Sequence, residues 1–241
     1  MKKILIGLCM SGLFLTLTSC DNSDDILPTT GLTEAEIIEG LKSALRVATD
    51  TSVSRLNVTD GYHKDAIVKI FLPPEASVIV DNISRLPGGM AVVDDMILKI
   101  NRAAEDAAVE ATPIFVDAIT NITITDGKAI LEGNDDAATV YLKGATYVDL
   151  SNVFEPKIKV SLDKKIIGSI SAESAYGTMI QSYNAGSLNG VLYPKISTNT
   201  LSRHTTEKGL DGLFIKLADE EKEIRTNLSH QVNDLLKKVF G

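Results

Sequence analysis

The sequence is poor in the side chains from which many enzyme sites are built. Its 241 residues include no tryptophan, two cysteines and three histidines, and aromatic residues make up only 5%. Few aromatic rings argue against a carbohydrate-binding surface or a deep aromatic ligand cage. The histidines, at His63, His204 and His230, lack zinc-binding spacing and have no cysteine beside them. Such scattered residues do not predict a metal site.

Several catalytic and nucleotide-binding motifs are also missing. No serine lies in a Gly-x-Ser-x-Gly elbow, and the glycines follow neither phosphate-binding pattern. The chain has no internal repeat, no sustained heptad and no alternating strand pattern. The sequence therefore assigns no catalytic residue, no cofactor and no metal.

The first twenty residues are typical of a bacterial lipoprotein. Lys2 and Lys3 precede an apolar stretch that is short for a membrane span and ends at Leu17-Thr18-Ser19-Cys20. We predict a signal peptide over residues 1–19, cleavage before Cys20, and lipidation of that cysteine. The attached acyl chains would anchor the protein in the membrane, because each methylene group buried there contributes about 0.8 kcal/mol of binding free energy. The alternatives are an ordinary cleaved signal peptide and a membrane-anchoring helix.

Residues 20–31 are polar and predict a flexible acidic tether. The segment Asp21-Asn22-Ser23-Asp24-Asp25 loosely resembles a signal for transport to the outer face of the outer membrane. The alternative is a solvated spacer. We expect an outer-membrane lipoprotein of the bacterial cell envelope, facing either the periplasm or the cell surface, whose membrane contact is the lipidated cysteine.

The chain is acidic, which bears on its partners. Residues 1–19 hold two of the 24 basic residues and none of the 32 acidic ones, so the remaining chain has a formal charge of −10. The densest basic cluster, Lys157, Lys159, Lys164 and Lys165, is interleaved with an acid and apolar residues. Nucleic acid is not an expected partner, because binding it requires a positive patch.

Helical periodicity dominates after the tether. Thr33 and Glu36 form a capping box, and apolar residues at helical spacing predict a helix from there to Leu56. An irregular linker should follow from Asn57 to Pro74, and the next helix should end at Pro87. We therefore predict an all-α fold, a single multi-helix, bundle-like domain over residues 32–241.

Breaks in the later helices are placed at proline and at capping residues. The long segment 90–121 should kink or divide at Pro113, and the segment 147–167 should bend or break at Pro156. Further helices are expected at 125–133, from 135 onward, at 171–183, and as two or three over 198–240. We expect Thr125 and Asn134 to cap two of them.

Two clusters of polar residues are candidates for a pocket. Asn101, Arg102 and Glu105 lie within about one helical turn, and Glu221 lies four residues before Arg225. The first set fits a buried polar network that ties helices together, and Glu221 with Arg225 fits an ordinary ion pair within one helix. Alternatively, the two guanidinium groups could grip a carboxylate or a phosphate in a shared cleft.

Asp135 and Asp136 lie beside Gly133 at an expected helix start. Carboxylates in that position commonly accept hydrogen bonds from free backbone amides. A calcium or magnesium ligand pair, supported by Asp117 or Asp126, is the other interpretation, although the full calcium-loop pattern is absent.

Several separated motifs resemble an uncharacterised bacterial family of exported proteins, domain of unknown function 4197. They are Asn101-Arg102-Ala103-Ala104-Glu105, Pro113-Ile114-Phe115-Val116-Asp117-Ala118-Ile119, Gly133-Asn134-Asp135-Asp136-Ala137-Ala138-Thr139, Leu210-Asp211-Gly212-Leu213-Phe214, Glu220-Glu221-Lys222-Glu223-Ile224-Arg225 and Leu235-Leu236-Lys237-Lys238-Val239-Phe240-Gly241. The resemblance covers the chain from about Leu41 onward. It implies a helical domain and an envelope address, and it brings no established activity, cofactor or catalytic residue.

Two hypotheses of function follow. The sequence favours a non-enzymatic, lipid-anchored domain that binds or scaffolds an unknown envelope protein or small ligand. The alternative is an enzyme or small-ligand receptor with a polar pocket around Arg102, Asp135 and Arg225. Convergence of these three side chains on one concave site would favour the alternative.

Overall fold

Helices form most of the chain that the computed structural model describes, namely residues 33–167, 170–188, 190–197, 200–231, 237 and 239. The helices are α1 (Glu34–Leu56), α2 (Ser77–Ser84), α3 (Gly89–Ala108), α4 (Ala111–Thr120), α5 (Ile124–Leu131), α6 (Ala137–Leu162), α7 (Ala172–Gly186) and α8 (Leu201–Thr226). The predicted all-α class is confirmed. The predicted signal peptide, the tether and Cys20 lie outside the described residues.

Three short elements complete this part of the chain. Single turns of 3-10 helix occur at Pro74–Ala76 and Leu228–His230. A small antiparallel hairpin pairs β1 (Lys165–Ile167) with β2 (Ile170–Ser171), where the sequence predicted no strand. Among the described helices, none has the length and apolar character needed to cross a membrane.

The two longest helices, α6 and α8, lie against each other at the centre of the fold. Each has 26 residues, and α1 and α3 both pack on α8 while α3 and α4 pack on α6. Four alanines of α3 are fully buried, at Ala103, Ala104, Ala107 and Ala108. Because alanine side chains are small, they let the helices around α3 approach it closely.

Local capping signals set the first helix. Thr33 is the N-cap of α1, its hydroxyl accepts from the amide of Glu36, and the Glu36 carboxylate accepts from the Thr33 amide. The helix ends at Leu56, as predicted. Ser171 starts α7 in the same way, through a reciprocal pair with Ser174.

The expected break at Pro113 lies earlier in the chain. The helix divides at Val109 and Glu110, between α3 and α4, so that Pro113 occupies the third position of α4. Proline is accommodated in the first turn because the amide at that position has no partner within the helix. Similarly, α5 is capped by Thr123 rather than Thr125, with Asp126 completing a capping box.

The segment expected to form two helices is the single helix α6, which continues through the exposed Pro156. Its buried side recurs at every fourth residue: Ala138, Leu142, Thr146, Leu150, Phe154, Ile158 and Leu162. Four residues turn a helix by about 40° more than one revolution, so this buried stripe winds around the helix axis. A straight amphipathic pattern is therefore absent, which explains why the sequence periodicity did not predict one long helix.

Candidate functional site

Two glutamates on different helices are almost completely buried and hold the candidate polar residues in place. Glu105 on α3 and Glu221 on α8 are each 4% exposed. A buried carboxylate is strongly unfavourable unless hydrogen bonds and opposite charge compensate it. The partners of each glutamate therefore define what each cluster does.

The Glu105 cluster ties the loop after α1 to α3. Oε1 of Glu105 accepts from the backbone amides of Tyr62 and His63, at 3.1 and 3.2 Å. Its Oε2 accepts from Nη1 of Arg102, and Nη2 of the same guanidinium donates to Oδ1 of Asp60, both at 2.5 Å. One arginine thus bridges a carboxylate of the helix and a carboxylate of the loop.

Asp60 has a backbone φ of 73°, in the left-handed region that aspartate tolerates better than most residues. Hydrogen bonds from Lys64 and Arg102 hold the pKa of the Asp60 carboxyl down to about 2. The aspartate is therefore ionised at neutral pH. Its charge fixes Arg102 from the side opposite Glu105.

The loop reaches α8 through a fully buried tyrosine. Oη of Tyr62 donates to the carbonyl of Gly209 at 2.8 Å, and burial raises the pKa of this phenol well above its usual range. A Cβ on Gly212 would come within 2.9 Å of the Tyr62 ring and 3.1 Å of Val68. Glycine at position 212 thus makes room on α8 for the loop.

Asn101 holds the extended end of the same loop. Its Oδ1 accepts from the amide of Ile70 at 2.9 Å, and its Nδ2 donates to the Ile70 carbonyl at 2.7 Å. The same amide nitrogen also donates to the Ile97 carbonyl. The side chain of this fully buried asparagine thus pairs with the amide and the carbonyl of Ile70, as a neighbouring β-strand would.

The Glu221 cluster joins the end of α5 to the start of α6. The carboxylate accepts from the amides of Ala138 and Thr139 at 2.9 and 2.8 Å, and from the Thr139 hydroxyl at 2.8 Å. Arg225 donates through Nε and Nη2 to Oε1 of Glu221, and its Nη2 also donates to the carbonyl of Ile130. One ion pair therefore caps the amino end of α6 and the carboxyl end of α5.

Asp135 and Asp136 lie on the exposed turn beside this cluster. Asp136 occupies the N-cap position of α6, yet its side chain makes no capping hydrogen bond. Because Glu221 already satisfies the amides of Ala138 and Thr139, the capping role expected of the aspartates belongs to a distant glutamate.

Asp117 lies away from both clusters, in a groove between α4 and α6. The groove has a volume of about 510 Å³ and is also lined by Ile114, Ala118, Ala145 and Asp149. Asp117 and Asp149 are exposed, and neither carboxylate forms a hydrogen bond or an ion pair within the described part of the chain.

The structure thus places the predicted site residues at separate positions. Asn101, Arg102 and Glu105 contact the loop after α1, whereas Glu221 and Arg225 contact the α5–α6 turn. No hydrogen bond or ion pair joins the two clusters across the described residues. Within the same ranges, no group of three or more histidine, cysteine or acidic side chains is placed to hold a metal ion.

Two further glutamates make contacts that the sequence did not predict. Glu220, 3% exposed, pairs with Arg55 at 2.8 Å and accepts from Nδ1 of His230 at 3.0 Å. Glu173 of α7 accepts from the amide of Ser202 at the start of α8, and burial raises its pKa. These contacts join residues far apart in sequence, so no local pattern signals them.

Comparison with known families gives one match. A family model described as Protein of unknown function (DUF4197) matches residues 31–241, which confirms the resemblance carried by the sequence motifs. No curated protein and no solved structure matches the chain.

Proposed function

The chain belongs to the DUF4197 family, and from this premise we propose that it is a lipid-anchored protein of the bacterial cell envelope. Its helical domain binds or scaffolds another molecule and does not catalyse a reaction. The lipobox ending at Cys20 supports the anchor, because an acylated cysteine holds a protein at a membrane without a spanning helix. The outer membrane is the proposed address.

The observation that supports a non-catalytic role is the use made of the buried ionisable groups. Both oxygens of Glu221 are occupied by amides, a hydroxyl and Arg225. Both oxygens of Glu105 accept from loop amides and Arg102. A general base must reach a proton on a substrate, whereas these carboxylates hold helix ends and a loop.

Lipid attachment is tested in cells with the Cys20→Ala variant and a Ser23→Ala control. We expect the wild type and the control to incorporate labelled palmitate and to fractionate with membranes. Cys20→Ala should do neither, because it removes the acceptor thiol. Membrane retention of Cys20→Ala without palmitate would contradict the lipid anchor and support a membrane-anchoring signal segment.

Binding is tested separately by chemical cross-linking in intact cells. The wild type is expected to give a discrete product of higher mass, and Cys20→Ala should lose it because the domain leaves the membrane of its partner. A product of unchanged yield in the variant would separate binding from anchoring and contradict the combined proposal.

One observation favours the second candidate, a small-ligand receptor. A cleft of about 420 Å³ lies beside the Glu105 cluster and is lined by charged side chains of both signs, including Asp60, Lys64, Lys216 and Asp219. Lys64 and Lys216 are paired with Asp60 and Asp65, each at 2.7 Å. Titration with inorganic phosphate tests this candidate, since a Lys64→Met change should remove any binding in the cleft.

A further inference from the structure

We propose that the groove between α4 and α6 receives a cationic amphipathic helix presented by another envelope protein. The proposal deepens the binding function proposed above and rests on it. The groove walls are Ile114, Asp117 and Ala118 from α4, and Ala145, Asp149 and Val153 from α6. These residues give apolar surface and one carboxylate from each helix, and the lining also contains the polar residues Asn121, Tyr141, Thr146 and Asn152.

The shape of the groove suits a third helix. Two packed helices leave a groove on their solvent side, where another helix can lie at about 8–10 Å from each axis. The small side chains of Ala118 and Ala145 keep that groove open. From Tyr141 to Val153 the α6 wall is about 18 Å long at 1.5 Å per residue, which matches a helix of about 12 residues.

The α6 wall of the groove includes apolar side chains that are open to solvent. Val153 lines the groove and is 36% exposed, and Ala145 beside it is also exposed. Apolar residues at helical spacing on an incoming helix would contact this surface in the manner of helix-in-groove recognition. Covering it would also remove apolar area from water.

The acidic residues of the groove favour a partner helix with positive charge. Among the described residues, the groove lining contains Asp117 and Asp149 and no lysine or arginine. Lys42 and Arg46, which reach the end of α4, donate to Thr120. Two carboxylates without cations attract a helix that carries lysine or arginine beside its apolar stripe. The formal charge of −10 after residue 19 opposes a second copy of the chain, because like charges would meet.

The experiment uses the full-length protein in nonionic detergent. The probe is a labelled peptide of about 12 residues, with leucines three and four apart and lysines elsewhere, a length matched to the groove. Fluorescence anisotropy should show that the wild type binds this peptide and not a version with glutamate replacing lysine. The Asp117→Asn/Asp149→Asn protein should bind roughly tenfold more weakly, since two exposed ion pairs are lost together.

Two variants separate the groove from general charge. Asp50→Asn/Asp94→Asn makes the same charge change on exposed residues of α1 and α3 and should bind like the wild type. Ala145→Trp fills the groove while keeping every charge and should also weaken binding by roughly tenfold, because the bulky ring excludes the probe. Equal losses in the two double variants, or unchanged binding by Ala145→Trp, would overturn the proposal.

Sedimentation decides between the proposed helix and a second copy. A wild-type dimer that Ala145→Trp dissociates would assign the groove to self-association and overturn the proposal. A monomer that binds the lysine peptide supports it. The lipid anchor is tested independently, by the fractionation of Cys20→Ala. If the anchor is confirmed there but the groove variants bind the lysine peptide as tightly as the wild type, this inference is rejected and the anchor stands.

Discussion

Glu221 and Arg225, one turn apart on α8, together close the junction between α5 and α6. The glutamate accepts from the amides that begin α6, 82 and 83 residues earlier in the chain, and the arginine donates to the carbonyl of Ile130. The pair satisfies groups that each helix leaves unpaired at its end. A charged pair in the interior here serves to fix two helices against a third.

Glu221→Ala is expected to lower the free energy of unfolding by about 3–5 kcal/mol. The change leaves the Arg225 charge without its partner. It also leaves the amides of Ala138 and Thr139 without the carboxylate that accepts their hydrogen bonds. Urea denaturation followed by circular dichroism measures the loss. Lys222→Ala, on the exposed side of the same helix, should change stability by less than about 0.5 kcal/mol. Similar losses in the two variants would refute the capping role.

Asn101→Ala is expected to cost about 1–3 kcal/mol, because it leaves the buried amide and carbonyl of Ile70 without partners. Hydrogen exchange should report the loss locally, with the Ile70 amide exchanging faster than in the wild type. The control is Asn152→Ala, an exposed residue of α6. Unchanged protection at Ile70 in Asn101→Ala would show that the clamp does not hold the loop.

Asp60→Asn is expected to remove part of the acid sensitivity of the fold. Hydrogen bonds from Lys64 and Arg102 lower the pKa of Asp60 from its ordinary value of 3.8 to about 2. On acidification the unfolded state therefore binds a proton before the folded state does, and the stability present above pH 3.8 is lost as pH falls toward 2. Asparagine tolerates the left-handed backbone equally well, so the variant isolates the charge.

Urea midpoints at successive pH values between about 5 and 2 measure this effect. The wild type should lose stability more steeply than Asp60→Asn across that interval. Asp81→Asn, at an exposed position of α2, is the matched control and should follow the wild-type curve. Parallel curves for wild type and Asp60→Asn would mean that the Asp60 charge contributes nothing to the fold.

Phe214→Ala is expected to destabilise the protein by about 3–5 kcal/mol. The Phe214 ring is 4% exposed and lies edge-on to Phe115, with ring centres 6.0 Å apart, and it stacks on Tyr147 at 6.4 Å. Thermal unfolding gives the shift in melting temperature. Phe71→Ala serves as the control because Phe71 is 60% exposed, and its melting temperature should stay close to that of the wild type. If Phe71→Ala lowered the melting temperature more than Phe214→Ala, Phe214 would not be a core residue.

Four of the described helices, α1, α5, α7 and α8, begin with a short-range side-chain cap. Thr33 with Glu36 and Ser171 with Ser174 begin helices through contacts three residues apart, which a sequence displays directly. Pro113 marked a break near its true place but not at it, because proline fits the first turn of a helix as well as its end.

The sequence by itself determined the helical class, the family and the acidic charge, because composition and nearby residues carry those signals, and the lipoprotein leader stays a prediction from the same kind of signal. Only the tertiary structure decided that α6 is one continuous helix and that Glu105 and Glu221 serve the ends of other elements. It also decided that the groove beside Asp117 stays open. Each of these depends on residues that are distant in sequence and meet only when helices pack, so periodicity and propensity alone do not specify them.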